Sequence, residues 1–151
     1  MKIAMLRLLA YSGLAWLWVM PSVSTAPGGA RSDVWNSLWS MWFSQYAVTQ
    51  GQLPWATELL NAPHGGTVLL PDPLAGLFAV LAVPVLGTAG AYSALMLLRL
   101  ACAGLVAHLF AEDWLQQLGL SKDEASRAGW LAGVGYATAP VLLAGLQCGT
   151  T

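Results

Sequence analysis

From Leu74 to Ala111 the chain is apolar for about 38 residues, with Arg99 and His108 as the exceptions, where a helix needs roughly 20 apolar residues to cross a hydrocarbon core of about 30 Å. The rest of the composition agrees with that run. Charged residues make up 9% of the 151, against roughly 25% in soluble domains. So few charges cannot cover a water-facing surface of ordinary polarity. With 57% hydrophobic residues and a mean hydropathy of +0.62, lipid is the expected solvent. The formal net charge is −1 and Lys and Arg form no cluster, so nucleic acid is excluded as a partner.

The long run divides in one of two ways. Gly87-Thr88-Ala89-Gly90 could join two spans. Leu74 to Leu86, however, is only about 13 residues, or about 20 Å of helix, and contains Pro84. The expected reading is a re-entrant or interfacial helix over 74–86, then a span over 89–111. A polar loop or short surface helix over 112–126 follows, in which Ser121 and Glu124 match a capping box. A further span over 127–148 has Gly129, Gly133 and Gly135 available for close helix packing and Pro140 as a kink.

At the other end, residues 3–23 are apolar apart from Arg7 and a few small polar residues, and at about 21 residues they can span. Lys2 and Arg7 orient the N-terminus toward the cytoplasm. A secretory signal cleaved at Ser24-Thr25-Ala26 is the rival reading. A retained span is favoured by the length of the run and by Pro27 directly after the cut. Pro27-Gly28-Gly29 then breaks the chain, and a helix is predicted from Asp33 to Gln50, with Gly51 as its stop. Trp35, Leu38, Trp39, Trp42 and Tyr46 share one face of it, and Ser37, Ser40 and Ser44 the other. A helix of this kind beside a span is expected to lie in the membrane interface, held by burial of its aromatic face. Of the eight tryptophans, Trp16 and Trp18 lie near the end of the first apolar run, Trp35, Trp39, Trp42 and Trp55 in the segment that follows it, and Trp114 and Trp130 flank the later polar segment, an interfacial distribution. The predicted fold class is therefore all-α, with polytopic transmembrane helices, an external region over 24–88 and an external amphipathic interfacial helix.

Residues 51–73 form a Pro- and Gly-rich loop carrying Glu58, Asn61, His64 and Asp72. Asp33 is the foremost candidate for chemistry. As an acid in the first turn of a helix it can cap free N–H groups, or act at the membrane surface as a general base. His64 is either an exposed loop residue or a group that handles phosphate or a proton. Arg99, inside a predicted span, must face the protein interior, a water cavity or the interface. Its partner is either a structural carboxylate or a lipid phosphate. His108 reads as an interfacial residue. Cys102 and Cys148 read as small buried or lipid-facing side chains. Neither they nor any other residues show metal-site spacing, and GxSxG, P-loop, HExxH and GxGxxG motifs are absent. No cofactor is implied, and a divalent metal requirement stays open.

The order of these features is familiar. A short N-terminal span precedes an acid that opens an aromatic helix, Ser32-Asp33-Val34-Trp35-Asn36. The loop Asn61-Ala62-Pro63-His64-Gly65-Gly66-Thr67 comes next, then an apolar helix ending Val83-Pro84-Val85-Leu86-Gly87. This resembles the N-terminal part of bacterial GT-C-fold membrane glycosyltransferases, related to the protein mannosyltransferases and the aminoarabinose transferase. The resemblance covers nearly all of this chain and about the first third of such an enzyme, on loose motifs. It implies an inner-membrane, multi-pass protein moving a sugar from a polyprenyl-phosphate donor to an acceptor on the outer face. It places Asp33 at the family's external acid, as base or acceptor-positioning group, and lets the loop 51–73 line the cavity. It gives His64 and Arg99 no family role. Ser32 precedes the acid where relatives often have Gly, and the later spans that complete the site are missing, so the chain is expected to be a fragment inactive by itself. The alternative is a non-enzymatic polytopic membrane protein: a transporter, flippase or assembly-subunit fragment.

Overall fold

A computed structural model describes residues 2–19, 34–54, 56–60, 64–67 and 72–139. Among them the protein is all-helical apart from one two-residue β pairing. Helix α1 covers Lys2–Val19, α2 Val34–Thr49, α3 Pro73–Gln117 and α4 Lys122–Ala137. Strands β1, Ala56–Thr57, and β2, Gly66–Thr67, pair antiparallel, Ala56 opposite Thr67 and Thr57 opposite Gly66. The chain divides into two compact units. One contains α1, the part of α3 from Met96 onward, and α4; the other contains α2, the β clip and α3 up to Leu95.

Local chemistry sets the helix ends. Gly51 follows α2 at φ 69°, a left-handed conformation that costs an L side chain about 1–2 kcal/mol. There the Gln52 N–H reaches the Ala47 carbonyl and the Gly51 N–H the Val48 carbonyl. That is the paired closure of a Schellman end, and Leu120 and Gly119 repeat it on Leu115 and Gln116 after α3. Asp72 caps α3, its Oδ1 accepting from the Ala75 N–H at 3.0 Å, and Pro73 takes the first helical position, where its missing N–H is harmless. The expected capping box closes α4: the Ser121 hydroxyl accepts from the Glu124 N–H, and the Glu124 carboxylate accepts from the Ser121 N–H at 3.1 Å.

Helix α3 differs from expectation at both ends of its long run. The break expected near Gly87 exists as a kink, with Gly87 at φ 69°, ψ 169°. It lies one turn beyond Pro84, whose ring removes a helical hydrogen bond. The helix resumes at once and continues through Glu112 to Gln117, so the expected polar loop from 112 begins only after Gln117. Asp113 helps, accepting from Gln117 Nε2 one turn on, at 2.7 Å. Among the described residues α3 is the one helix long and apolar enough to cross a membrane, and 17% of its most apolar stretch is buried in the protein. The core helix of a soluble protein would be mostly buried. Residues 20–23 of the first expected span, the signal-cleavage and Pro27-Gly28-Gly29 segments, and 140–148 of the last span, with Pro140 and Cys148, lie outside the described residues.

On α4 small side chains lie inward and large apolar ones outward, whereas α3 also buries Leu95, Met96 and Leu100 and α2 buries Met41 and Phe43. In α4, Ala125, Gly129, Gly133 and Ala137 are buried at a four-residue spacing, while Leu131 and Tyr136 are exposed. In α1, Tyr11 and Ala15 are buried, and Leu6, Leu9 and Leu17 are exposed. Helix α2 turns its serine face inward within its unit and leaves much of its aromatic face, expected at the membrane interface, on the protein surface. Ser44 is 1% exposed and Ser40 is buried, whereas Trp35 is 63% exposed and Trp42 and Tyr46 also face outward. The serine hydroxyls are satisfied locally: Ser40 donates to the Asn36 carbonyl and Ser44 to the Ser40 carbonyl, both at 2.8 Å. Small inward residues let backbones approach closely, which is how helices pack when their surroundings are as apolar as their own side chains.

Candidate functional site

The unit that holds α2 contains a cavity of about 790 Å³, within the range of small-molecule sites. Phe43 and Tyr46 from α2, Gln52 from the segment after it, and Glu58 and His64 from the clip form its walls. Each is positioned by an identifiable device. Phe43 is buried and stacks on Trp39 at 5.0 Å, nearly parallel. Trp42 stacks on Tyr46 at 5.2 Å. The Schellman end at Gly51 turns the chain so that Gln52 leaves α2 toward the clip. The β1–β2 pairing holds the two loop arms, and Thr57 Oγ1 accepts from the Leu59 N–H at 3.1 Å to turn the chain at Glu58. Gly65, at φ 73°, brings its backbone against the Thr57 carbonyl, 3.3 Å from where a Cβ would stand.

This wall set offers a carboxylate acceptor, an imidazole that can donate or accept, an amide that does both, and aromatic faces. Glu58 and His64 are exposed, so they meet a ligand without desolvation of a buried charge. Such a set suits a neutral polyhydroxylated ligand: hydroxyls for Glu58, His64 and Gln52, and an apolar ring face against Tyr46; Phe43, 2% exposed, supports the wall from the core.

The first unit contains a second, buried polar site, built from residues far apart in sequence. Arg7 of α1 grips Glu112 of α3, with Nη1 donating to Oε2 and Nη2 to Oε1 at 3.2 Å. Nη2 also donates to Ser126 Oγ of α4 at 3.1 Å. One turn along each helix, the Tyr11 hydroxyl meets His108 Nδ1 at 3.0 Å. His108 Nε2 lies 3.5 Å from Glu112 Oε2 without completing a hydrogen bond. Trp130 of α4 lies beside both rings, 5.2 Å from Tyr11 and 4.8 Å from His108. Glycines make the room. A Cβ on Gly129 would stand 2.8 Å from His108 Cδ2, and one on Gly133 would overlap the Tyr11 hydroxyl.

The sequence-predicted site residues fall as follows. His64 lies in the wall of the α2 cavity. Arg99 is half-buried on α3. Asp33 lies outside the described residues. His108, read as interfacial, is fully buried, because Tyr11 and the glycine face of α4 enclose it. Cys102 is exposed on α3. Sequence reasoning assigned no chemistry to Tyr11, Glu112 or Glu58. Two signals for the buried site were present: an Arg inside an apolar run needs a counter-charge, and His108 and Glu112, four apart, share a helix face. Among the described residues no three of His, Cys, Asp and Glu gather to hold a metal ion. Comparison with protein-family models, curated proteins and solved structures finds no match.

Proposed function

We propose that this chain is the N-terminal portion of a multi-pass inner-membrane glycosyltransferase of the GT-C type, with its N-terminus in the cytoplasm. It moves a sugar from a polyprenyl-phosphate donor to an acceptor at the outer face. The observation that carries the reading is the cavity walled by Phe43, Tyr46, Gln52, Glu58 and His64. It joins an outward aromatic helix face to sugar-compatible polar groups, in the segment that leads into the apolar helix α3. The buried Ala125, Gly129, Gly133 and Ala137 face of α4, with Leu131 and Tyr136 outward, supports helix packing in lipid. Asp33, immediately before α2, is the general base in this reading, and Arg99 the group that meets donor phosphate.

The test is photo-crosslinking of the membrane-embedded chain with a photoreactive polyprenyl-phosphate sugar. Adducts are expected within residues 34–67, and free donor should compete them away. Adducts spread over α1 and α4, or insensitive to competition, would overturn the reading. In a transfer assay on the longer protein, Asp33→Asn should abolish turnover at unchanged abundance.

The Arg7–Glu112–His108 cluster favours a second reading, a non-enzymatic transporter, flippase or assembly subunit, because ionisable side chains enclosed by apolar helices often mark ion or proton paths. Ion flux in proteoliposomes with no sugar transfer would select it.

A further inference from the structure

His108 is fully buried, yet both of its ring nitrogens face groups that can exchange or share a proton. Nδ1 meets the Tyr11 hydroxyl at 3.0 Å, and Nε2 points toward Glu112 Oε2 at 3.5 Å. Among the described residues the charged or titratable groups around the ring come from two helices and the start of a third. Arg7 and Tyr11 come from α1 and Glu112 from α3. Lys122, at the start of α4, acts on Glu112. Helix α4 otherwise presents the neutral Ser126 hydroxyl to Arg7 and the Trp130 ring to the imidazole.

We infer that His108 is a proton-binding site inside the α1–α3–α4 bundle, switched by the Tyr11 hydroxyl and read out by the Arg7–Glu112 pair. The neutral ring has two tautomers. If Nδ1 carried the hydrogen, the bare Nε2 lone pair would face the Glu112 carboxylate. With the hydrogen on Nε2, the N–H dipole points at that carboxylate, and Nδ1 accepts from the Tyr11 O–H. The geometry selects the second form. A hydronium ion then gives its proton to Nδ1: one of its O–H bonds breaks, an Nδ1–H bond forms, a water molecule is released, and the site gains one positive charge. Tyr11 must turn its own O–H away and become the acceptor. The Gly104 carbonyl oxygen lies against the same Gly133 position as the Tyr11 hydroxyl, 2.7 Å from where a Cβ would stand, and so offers that O–H a new direction.

Two features equip the site to hold the charge. Glu112 stands one turn from the ring, and Trp130 lies within cation–π range. A third equips it to be reached. The side chains of Arg7 and Glu112 are 13% and 11% exposed while that of His108 is 0% exposed, and Glu112 is about 8 Å of helix from the polar end of α3. Solvent therefore arrives along the ion pair. Once charged, His108 competes with Arg7 for the same carboxylate, so proton uptake acts on the bond that fastens α1 to α3.

The experiment is nitrogen NMR of the full chain, labelled with 15N-histidine, in lipid bicelles. The chain has two histidines, so His64→Gln assigns the signals. His108 is expected in the Nε2–H tautomer at neutral pH and as a doubly protonated ring on acidification. Tyr11→Phe should release the tautomer preference. Glu112→Gln should lower the proton affinity of His108 at least tenfold. If Glu112→Gln fails to fold, the wild-type tautomer and titration decide alone. An Nδ1–H tautomer at neutral pH, or a His108 ring that never changes protonation state over the pH range in which the chain stays folded, would overturn the inference.

Discussion

The Arg7 guanidinium holds both carboxylate oxygens of Glu112, a residue 105 positions away in sequence. Its Nη2 also reaches Ser126, so one side chain joins all three helices of its unit. Removing either charge leaves the other uncompensated among apolar helices, which costs about 3–5 kcal/mol for a buried pair; partial exposure puts this pair at the lower end. Arg7→Met and Glu112→Met should each lower the unfolding midpoint in detergent. The double variant should be more stable than the sum of the two losses predicts. Additive losses would show that the pair is not coupled.

Glycines on one helix separate packing from propensity. Gly133→Ala would drive a methyl group into the Tyr11 hydroxyl and should destabilise by about 1–3 kcal/mol. Gly135 has nothing within 4 Å of an added Cβ, so Gly135→Ala should be neutral or stabilising by up to about 1 kcal/mol. Combining Gly133→Ala with Tyr11→Phe should restore part of the loss. Thermal melts of the four proteins check the set.

Cys102 tests which solvent bathes α3. Its side chain is exposed on the protein surface, yet a lipid-facing thiol is out of reach of water-borne reagents. In a Cys148→Ser background, Cys102 in intact vesicles should resist a membrane-impermeant maleimide and react fully after denaturation. A cysteine at Asp113, exposed near the polar end of α3, should react without denaturation. Rapid labelling of native Cys102 would place α3 in water.

Glu124 gives one pH dependence outside α3. Hydrogen bonds from the Ser121 hydroxyl and N–H hold its carboxyl below the ordinary carboxylate value. A depressed carboxylate contributes stability that is full above its unfolded titration range and is lost as pH falls through the folded one. Hydrogen exchange at the first amides of α4, measured against the unstructured-chain rate at each pH, should therefore lose protection on acidification below the ordinary carboxylate range. Ser121→Ala should quicken it at neutral pH, costing about 1 kcal/mol, and flatten the acid response. An unchanged response in that variant would mean that other carboxylates govern it.

What could be read from the sequence is what short-range chemistry settles. The stop of α2 at Gly51, the Ser121–Glu124 box, the break at Gly87 and the apolar length of α3 depend on residues within a turn or two of each other. His64 could be singled out because a histidine between Pro63 and Gly65 has few structural duties. Glu58 and Tyr46 gave no such sign, since their meeting depends on a clip formed by only two residue pairs.

Tertiary structure decided which way the helix faces point and which ionisable groups meet. Periodicity shows that α2 has a serine face and an aromatic face, but not which lies inward, because that depends on whether water or lipid is outside. Composition likewise predicted a loop from Glu112, where the structure continues the helix and gives the carboxylate a guanidinium partner. The sequence by itself determined where helices form, several of their caps and the apolar length of α3. Only the fold could bring Arg7 to Glu112 and Tyr11 to His108, because the attraction between such groups acts over a few ångströms of space and is indifferent to about a hundred residues of intervening chain.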